Sequence, residues 1–106
     1  MKKIKIVKVG EEQLVFSDGV DIYSLHEPDC CEYNYADFSQ IDDLAKEWEF
    51  EHPIIFEKCD YGFRFGNNNK MVFVPCYSNQ NGYYSYSVDI YYNGDLVLQD
   101  VECEDR

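Results

Sequence analysis

Positive charge is what this chain has least of. Nine Lys and Arg stand against 21 Asp and Glu over 106 residues, a formal net charge of −12. A surface this acidic is repelled by phosphate backbones and by anionic lipid, so direct binding to nucleic acid or to a membrane surface is not expected. Long apolar runs are also missing, and no stretch approaches the length of a membrane span. The opening "MKKIKIVKVG" alternates Lys with Ile and Val instead of building the unbroken apolar core of a secretory signal. Cytoplasmic localisation is the expectation. Disulfide patterning is lacking as well. Cys30, Cys31, Cys59, Cys76 and Cys103 are odd in number and irregularly spaced, which suits reduced and mostly buried thiols. The phosphate-binding loop, the dinucleotide fingerprint, the nucleophile elbow and the His-Glu-x-x-His zinc motif are all absent.

What is present is the composition of a folding chain. Hydrophobic residues make up 45% and aromatics 17%, with ten Tyr. Tyr suits half-buried sheet positions, where the ring packs and the hydroxyl reaches water. The length fits one domain, 1–106, and no linker or repeat divides it.

Period-two alternation dominates. "KIKIVKV" places Ile4, Ile6 and Val9 inward and Lys3, Lys5 and Lys8 outward. "QLVFS" and "VDIYSL" flank Asp18-Gly19, a turn that needs positive φ. Asn93-Gly94 gives the same signal after "YYSYSVDIYY". Within that run, Tyr84, Tyr86, Val88, Ile90 and Tyr92 share one face. Pro75 interrupts the apolar "KMVFVPCY" and marks an edge, a bulge or an end, because it donates no ladder hydrogen bond.

"SQIDDLAKEWEF" reads as the one helix. Ser39 is its N-cap, and Ile41, Leu44, Ala45 and Trp48 form an apolar stripe. His52 before Pro53 reads as a solvated helix end. The expected fold class is α+β: about seven short antiparallel strands in hairpins, curved or two-layered, with one short amphipathic helix near 40–49.

The densest chemistry lies in "HEPDCCEYNY", residues 26–35. Zinc favours thiolates two to four residues apart, whereas adjacent Cys30 and Cys31 point to opposite sides of an extended chain. A nucleophilic thiolate needs a nearby cation or base. His26 is near, but Glu27, Asp29 and Glu32 raise a thiol pKa instead of lowering it. The plainer reading makes one Cys a small buried hydrophobe, while His26 and Asp29 satisfy loop backbone groups. Tyr83 and Tyr84 are candidates for a stacking platform. A sheet face covered by amphipathic rings is the far commoner explanation.

Two blocks resemble a family of small uncharacterised domains from bacteria and their phages. One is "LHEPDCCEYNYADF" followed by "IDDL", similar to that family's His-x-x-Asp-Cys-Cys-Glu segment. The other is "SNQNGYYSYSVDIY", similar to its Asn-Gly-Tyr-Tyr-Ser block, with "NQNG" where the family more often has a shorter turn. The resemblance implies a small cytosolic domain, often carried by mobile elements, and supplies no activity. The matched residues are His26, Asp29, Cys30, Cys31, Glu32, Gly82, Tyr83, Tyr84 and Ser85, and the two blocks are candidates to meet in space.

Residues 26–60 carry eleven acids against Lys46 and Lys58. The expectation is therefore a non-enzymatic interaction module that presents an acidic face to a basic protein partner. Its binding residues would include Asp29, Glu32, Asp42, Asp43, Tyr83 and Tyr84. No cofactor or metal is expected. A narrower version is a nucleic-acid mimic that blocks a DNA-processing protein. The alternative is a Cys/His enzyme or metal protein built on His26, Cys30 and Cys31.

Overall fold

The computed structural model describes residues 3–26, 32–80 and 86–105. Among these residues, ten strands run in chain order: β1 (Ile6–Val9), β2 (Gln13–Phe16), β3 (Asp21–Leu25), β4 (Glu32–Ala36), β5 (Ile55–Cys59), β6 (Gly62–Asn67), β7 (Lys70–Gln80), β8 (Ser87–Tyr92), β9 (Asp95–Glu102) and β10 (Glu104–Asp105). They form two five-stranded sheets. The first has the order β1-β2-β3-β8-β9; the second has β10-β7-β6-β5, with β4 also paired to β7. Every pairing is antiparallel except the two-residue contact of β10 with β7.

The hairpin turns follow their residue chemistry. Gly19 has φ of 89° after Asp18, and Asn93 and Gly94 both adopt positive φ, at 51° and 87°. That pair of left-handed residues is what a two-residue turn between right-twisted strands requires. Pro75 lies in the middle of β7, where the strand changes partner. Residues 70–75 pair with β6, and residues 76–80 pair with β4.

The core sits between the sheets. Leu14, Phe16, Ile22, Val88 and Ile90 of the first sheet meet Phe63, Phe65, Val72 and Val74 of the second. Phe16 is packed edge-on against Phe65, with ring centroids 6.2 Å apart. A buried polar tie joins the layers. Asn34 of β4 donates through Nδ2 to the Ser87 carbonyl of β8 at 2.9 Å, and Ser78 Oγ donates to Asn34 Oδ1 at 2.5 Å. Buried amides and hydroxyls persist in a core only when so paired.

The expected α+β class is overturned, because the helix near 40–49 does not form. In its place are two 3-10 turns, Phe38–Gln40 and Asp43–Glu47. Among the described residues no helix reaches seven residues, and the fold is all-β. The reason is local competition for backbone donors. Asp37 caps the first turn, its carboxylate accepting from Ser39 N–H at 3.1 Å, Ser39 Oγ at 2.5 Å and Gln40 Nε2 at 2.8 Å. Asp42 caps the second, accepting from Leu44 N–H at 3.0 Å. Short polar side chains that seize nearby N–H groups offer the backbone an alternative to continuous helix. Ile41 and Trp48 end the two turns in extended geometry, with ψ of 156° and 149°. Of the expected stripe, Ile41 and Ala45 are buried and Trp48 is half-buried, but Leu44 is 62% exposed. The Ile4–Phe50 bridge then returns the chain to the edge of the first sheet.

Candidate functional site

The 26–35 block is described only at its margins. His26 follows β3, half-buried, and Glu32 opens β4. Asp29, Cys30, Cys31, Tyr83 and Tyr84 lie outside the described residues. The flanking strands are informative. Leu25 pairs with Asp89, Glu32 pairs with Gln80, and the Asn34–Ser87 bond joins the layers beside them. The strand ends that bracket the Cys block and the Tyr block therefore lie together.

The three described thiols are unbridged. Cys76 and Cys103 are buried side by side. The hydrogen bond with the Cys103 thiol, reinforced by burial, pushes the Cys76 thiol far above its ordinary pKa, the opposite of an activated nucleophile. Among the described residues no three His, Cys, Asp or Glu side chains converge as metal ligands.

A constellation that sequence reasoning missed lies at the other hairpin turn. His52 does not end a helix; it follows the Phe50 bridge and precedes a cis bond to Pro53. Its Nε2 donates to Asp18 Oδ2 at 2.8 Å, and its Nδ1 accepts from the Tyr92 hydroxyl. Both contacts are met by a neutral imidazole protonated on Nε2. Burial pushes the Asp18 carboxyl up. The Val20 N–H and His52 bonds outweigh it and hold the group below its ordinary value. Burial pushes the Tyr92 hydroxyl up, against the Ile54 N–H that it accepts, and the Asp18 charge adds to the rise. A phenol held protonated and sealed against Phe56 at 5.3 Å is a clamp between three chain segments rather than a nucleophile. The sequence signal was slight: a His beside Pro, with its partners 34 and 40 residues away.

A trough of about 490 Å³ lies between the 3-10 segment and the first half of β7, walled by Gln40, Asp42, Ala45, Trp48, Met71 and Phe73. Its size falls within the roughly 300–1,000 Å³ of ordinary ligand clefts. Trp48 and Met71 are half-buried and Phe73 is 47% exposed. Among the described residues, Asp42 is the one charged residue lining it. Beside it, Asp43 pairs with Lys46 at 3.1 Å, and Glu47 and Glu49 are exposed. Of the six binding residues expected from sequence, Asp42 thus borders a cavity, and Asp43 stands next to it.

Acid and base are separated across the first sheet. Lys5 and Lys8 are exposed at and beside the β1 edge. The opposite edge, β9, carries exposed Asp95, Asp100 and Glu102, and the chain from Met71 to Asp105 holds no Lys or Arg. Among the described residues, ion pairs engage Glu51, Asp43 and Glu57, and Asp18 is hydrogen-bonded to His52.

A family model for a domain of unknown function, DUF7448, matches residues 1–90. The chain belongs to that family. The DUF7448 match covers β1 to β7 and most of β8, including the 3-10 segment and both walls of the trough, while β9 and β10 follow it. No match was found among curated proteins or among solved structures. Among the described residues no helix is long and apolar enough to cross a membrane.

Proposed function

We propose that this domain is a non-enzymatic protein-interaction module that binds a basic segment of a partner protein, through the trough and the acidic 3-10 segment beside it. The observation that carries the reading is the trough's composition. Aromatic residues and Met are enriched at interface centres, and Trp48, Met71 and Phe73 wall this one. Asp42 is its charged member, in a chain with a formal charge of −12. Such a surface attracts cationic partners and speeds their encounter.

The bacterial or phage setting implied by the resemblance also fits a nucleic-acid mimic. That reading asks for carboxylates ranked along one ridge. The exposed acids are spread instead over the 3-10 segment, β5 and the β9–β10 edge, which favours a docking surface. Asp29, Glu32, Tyr83 and Tyr84 would extend that surface only if their block adjoins it.

Trp48 is the only Trp and stands in the trough wall, so its emission reports occupancy. Titration with a Lys-Val-Lys-Val-Lys-Val peptide should give a saturable change that weakens with added salt. A Glu-Val counterpart should give none. An unchanged Trp48 spectrum, or an equal response to both peptides, would refute the proposal.

A further inference from the structure

Among the described residues, part of one edge of strand β7 has no neighbour. The Cys76 N–H donates to the Tyr61 carbonyl at 3.0 Å. With Gly62 opposite Pro75, this sets the alternation of the ladder. Val72 and Val74 turn their backbone groups toward β6, and Met71, Phe73 and Pro75 turn theirs to the opposite edge. On that edge the Pro75 carbonyl accepts from Asp37 N–H at 2.9 Å. Proline has no N–H to leave unpaired there, so the position tolerates it. Beyond Asp37 the chain departs into the first 3-10 turn, and no described strand pairs this edge at Met71 or Phe73. The vacated space is the trough, with Ala45 and Trp48 as its far wall.

We infer that this edge is a strand-addition site: an extended peptide of a partner protein, alternating basic and apolar residues, lies along Met71–Phe73 as a further strand in the place that β4 vacates. The inference rests on the interaction reading above and specifies its mode. Met71 and Phe73 offer two N–H and two C=O groups in strand geometry, and main-chain pairing of this kind supplies affinity whatever the side chains. Alternate side chains supply specificity. Those turned inward meet Ala45 and Trp48; those turned outward flank the exposed Phe73 ring. A basic character follows from Asp42 in the lining and from Glu47 and Glu49 on the adjoining segment. An open edge of this length is otherwise a liability that proteins blunt with charge or cover.

The test uses the full-length protein, labelled with nitrogen-15, and the Lys-Val-Lys-Val-Lys-Val peptide. Without peptide, the Met71 and Phe73 amides should exchange with solvent at least tenfold faster than those of Val72 and Val74. Saturating peptide should slow them at least tenfold. A peptide N-methylated at alternate residues, in either of the two possible phases, should show one phase binding at least tenfold more weakly. In the protein, Met71→Pro should weaken binding at least tenfold more than Met71→Ala, since both lose the thioether and only one loses the N–H. The methylated peptides decide the matter even if the Pro variant does not fold.

If the peptide changes Trp48 emission but neither methylated form weakens it, strand addition is wrong and the broader interaction reading stands. If no basic peptide binds, both fall. If protection of Met71 and Phe73 rises with protein concentration alone, alongside dimer in sedimentation, the occupant is a second copy and the partner-peptide assignment is overturned.

Discussion

Replacing Tyr92 with Phe removes one oxygen and leaves the ring. Packing against Phe56 at 5.3 Å and against His52 at 5.6 Å is retained. What disappears is a hub, since the hydroxyl accepts from Ile54 N–H and donates to His52 Nδ1. Ile54 is only 6% exposed, so water cannot easily replace the lost acceptor. A buried donor left unpaired costs about 1–3 kcal/mol. His52 is half-buried, and its freed nitrogen can turn to water, so it adds little. The expected loss is about 2 kcal/mol, which at about 4–8 °C per kcal/mol for a domain near this size lowers Tm by roughly 10 °C. Urea unfolding followed by Trp48 emission should show a lower midpoint with an unchanged slope.

The pH dependence has a definite sign. Tyr92 has a raised folded pKa, so its contribution is complete below the unfolded value of about 10 and is lost as pH rises through the folded value. Asp18 has a depressed one, so its contribution is complete above about pH 3.9 and is lost as pH falls through the folded value. The difference between wild type and Tyr92→Phe should therefore narrow above about pH 10. A loss below about 0.5 kcal/mol at pH 7, or additive effects of Tyr92→Phe and His52→Ala, would refute the hub, because contacting partners should couple by about 0.5–3 kcal/mol.

Leu44→Ala should change stability little, because the side chain is 62% exposed, whereas Phe38→Ala should cost about 3–5 kcal/mol at a fully buried site; equal costs in urea titrations would restore the amphipathic helix. Tyr33 should titrate late, its hydroxyl pushed up to about 12 by burial and by its hydrogen bond to Glu12, which a tyrosine-resolved carbon-13 NMR titration would read. The stability it confers is complete below about pH 10 and is lost as pH rises through its folded value. In a Cys30→Ser/Cys31→Ser background, a thiol reagent should find at most Cys59 in the native state and all three remaining thiols after unfolding; rapid native reaction at Cys76 or Cys103 would contradict their burial.

Strands were legible because their signal is local and periodic. Ile4 and Ile6 are buried and Lys3 and Lys5 exposed, as alternation requires, while Lys8 is turned outward by the register shift between Ile6 and Lys8. The Asp18-Gly19 and Asn93-Gly94 turns follow from positive φ, a property of the residues themselves. The helix was misread because a 3.6-residue spacing of apolar residues does not register what Asp37 and Asp42 do to the backbone around them. Of the candidate site, the acidity of residues 42–51 was visible. Its apolar wall was not, since Met71 and Phe73 come from a strand whose sequence says nothing about which edge stays open.

Composition and pattern alone determined that this chain builds short paired strands, keeps an acidic exterior and turns where Gly and Asn allow positive φ. Each of these depends on a residue and its near neighbours. Only the tertiary structure decided that Asp18, His52 and Tyr92 share one network, that Cys76 lies beside Cys103, and that β7 gives up β4 at Pro75 and leaves an edge beside Trp48. Those are pairings over tens of residues. They are selected by how two sheets bury a common core, and no local period encodes them.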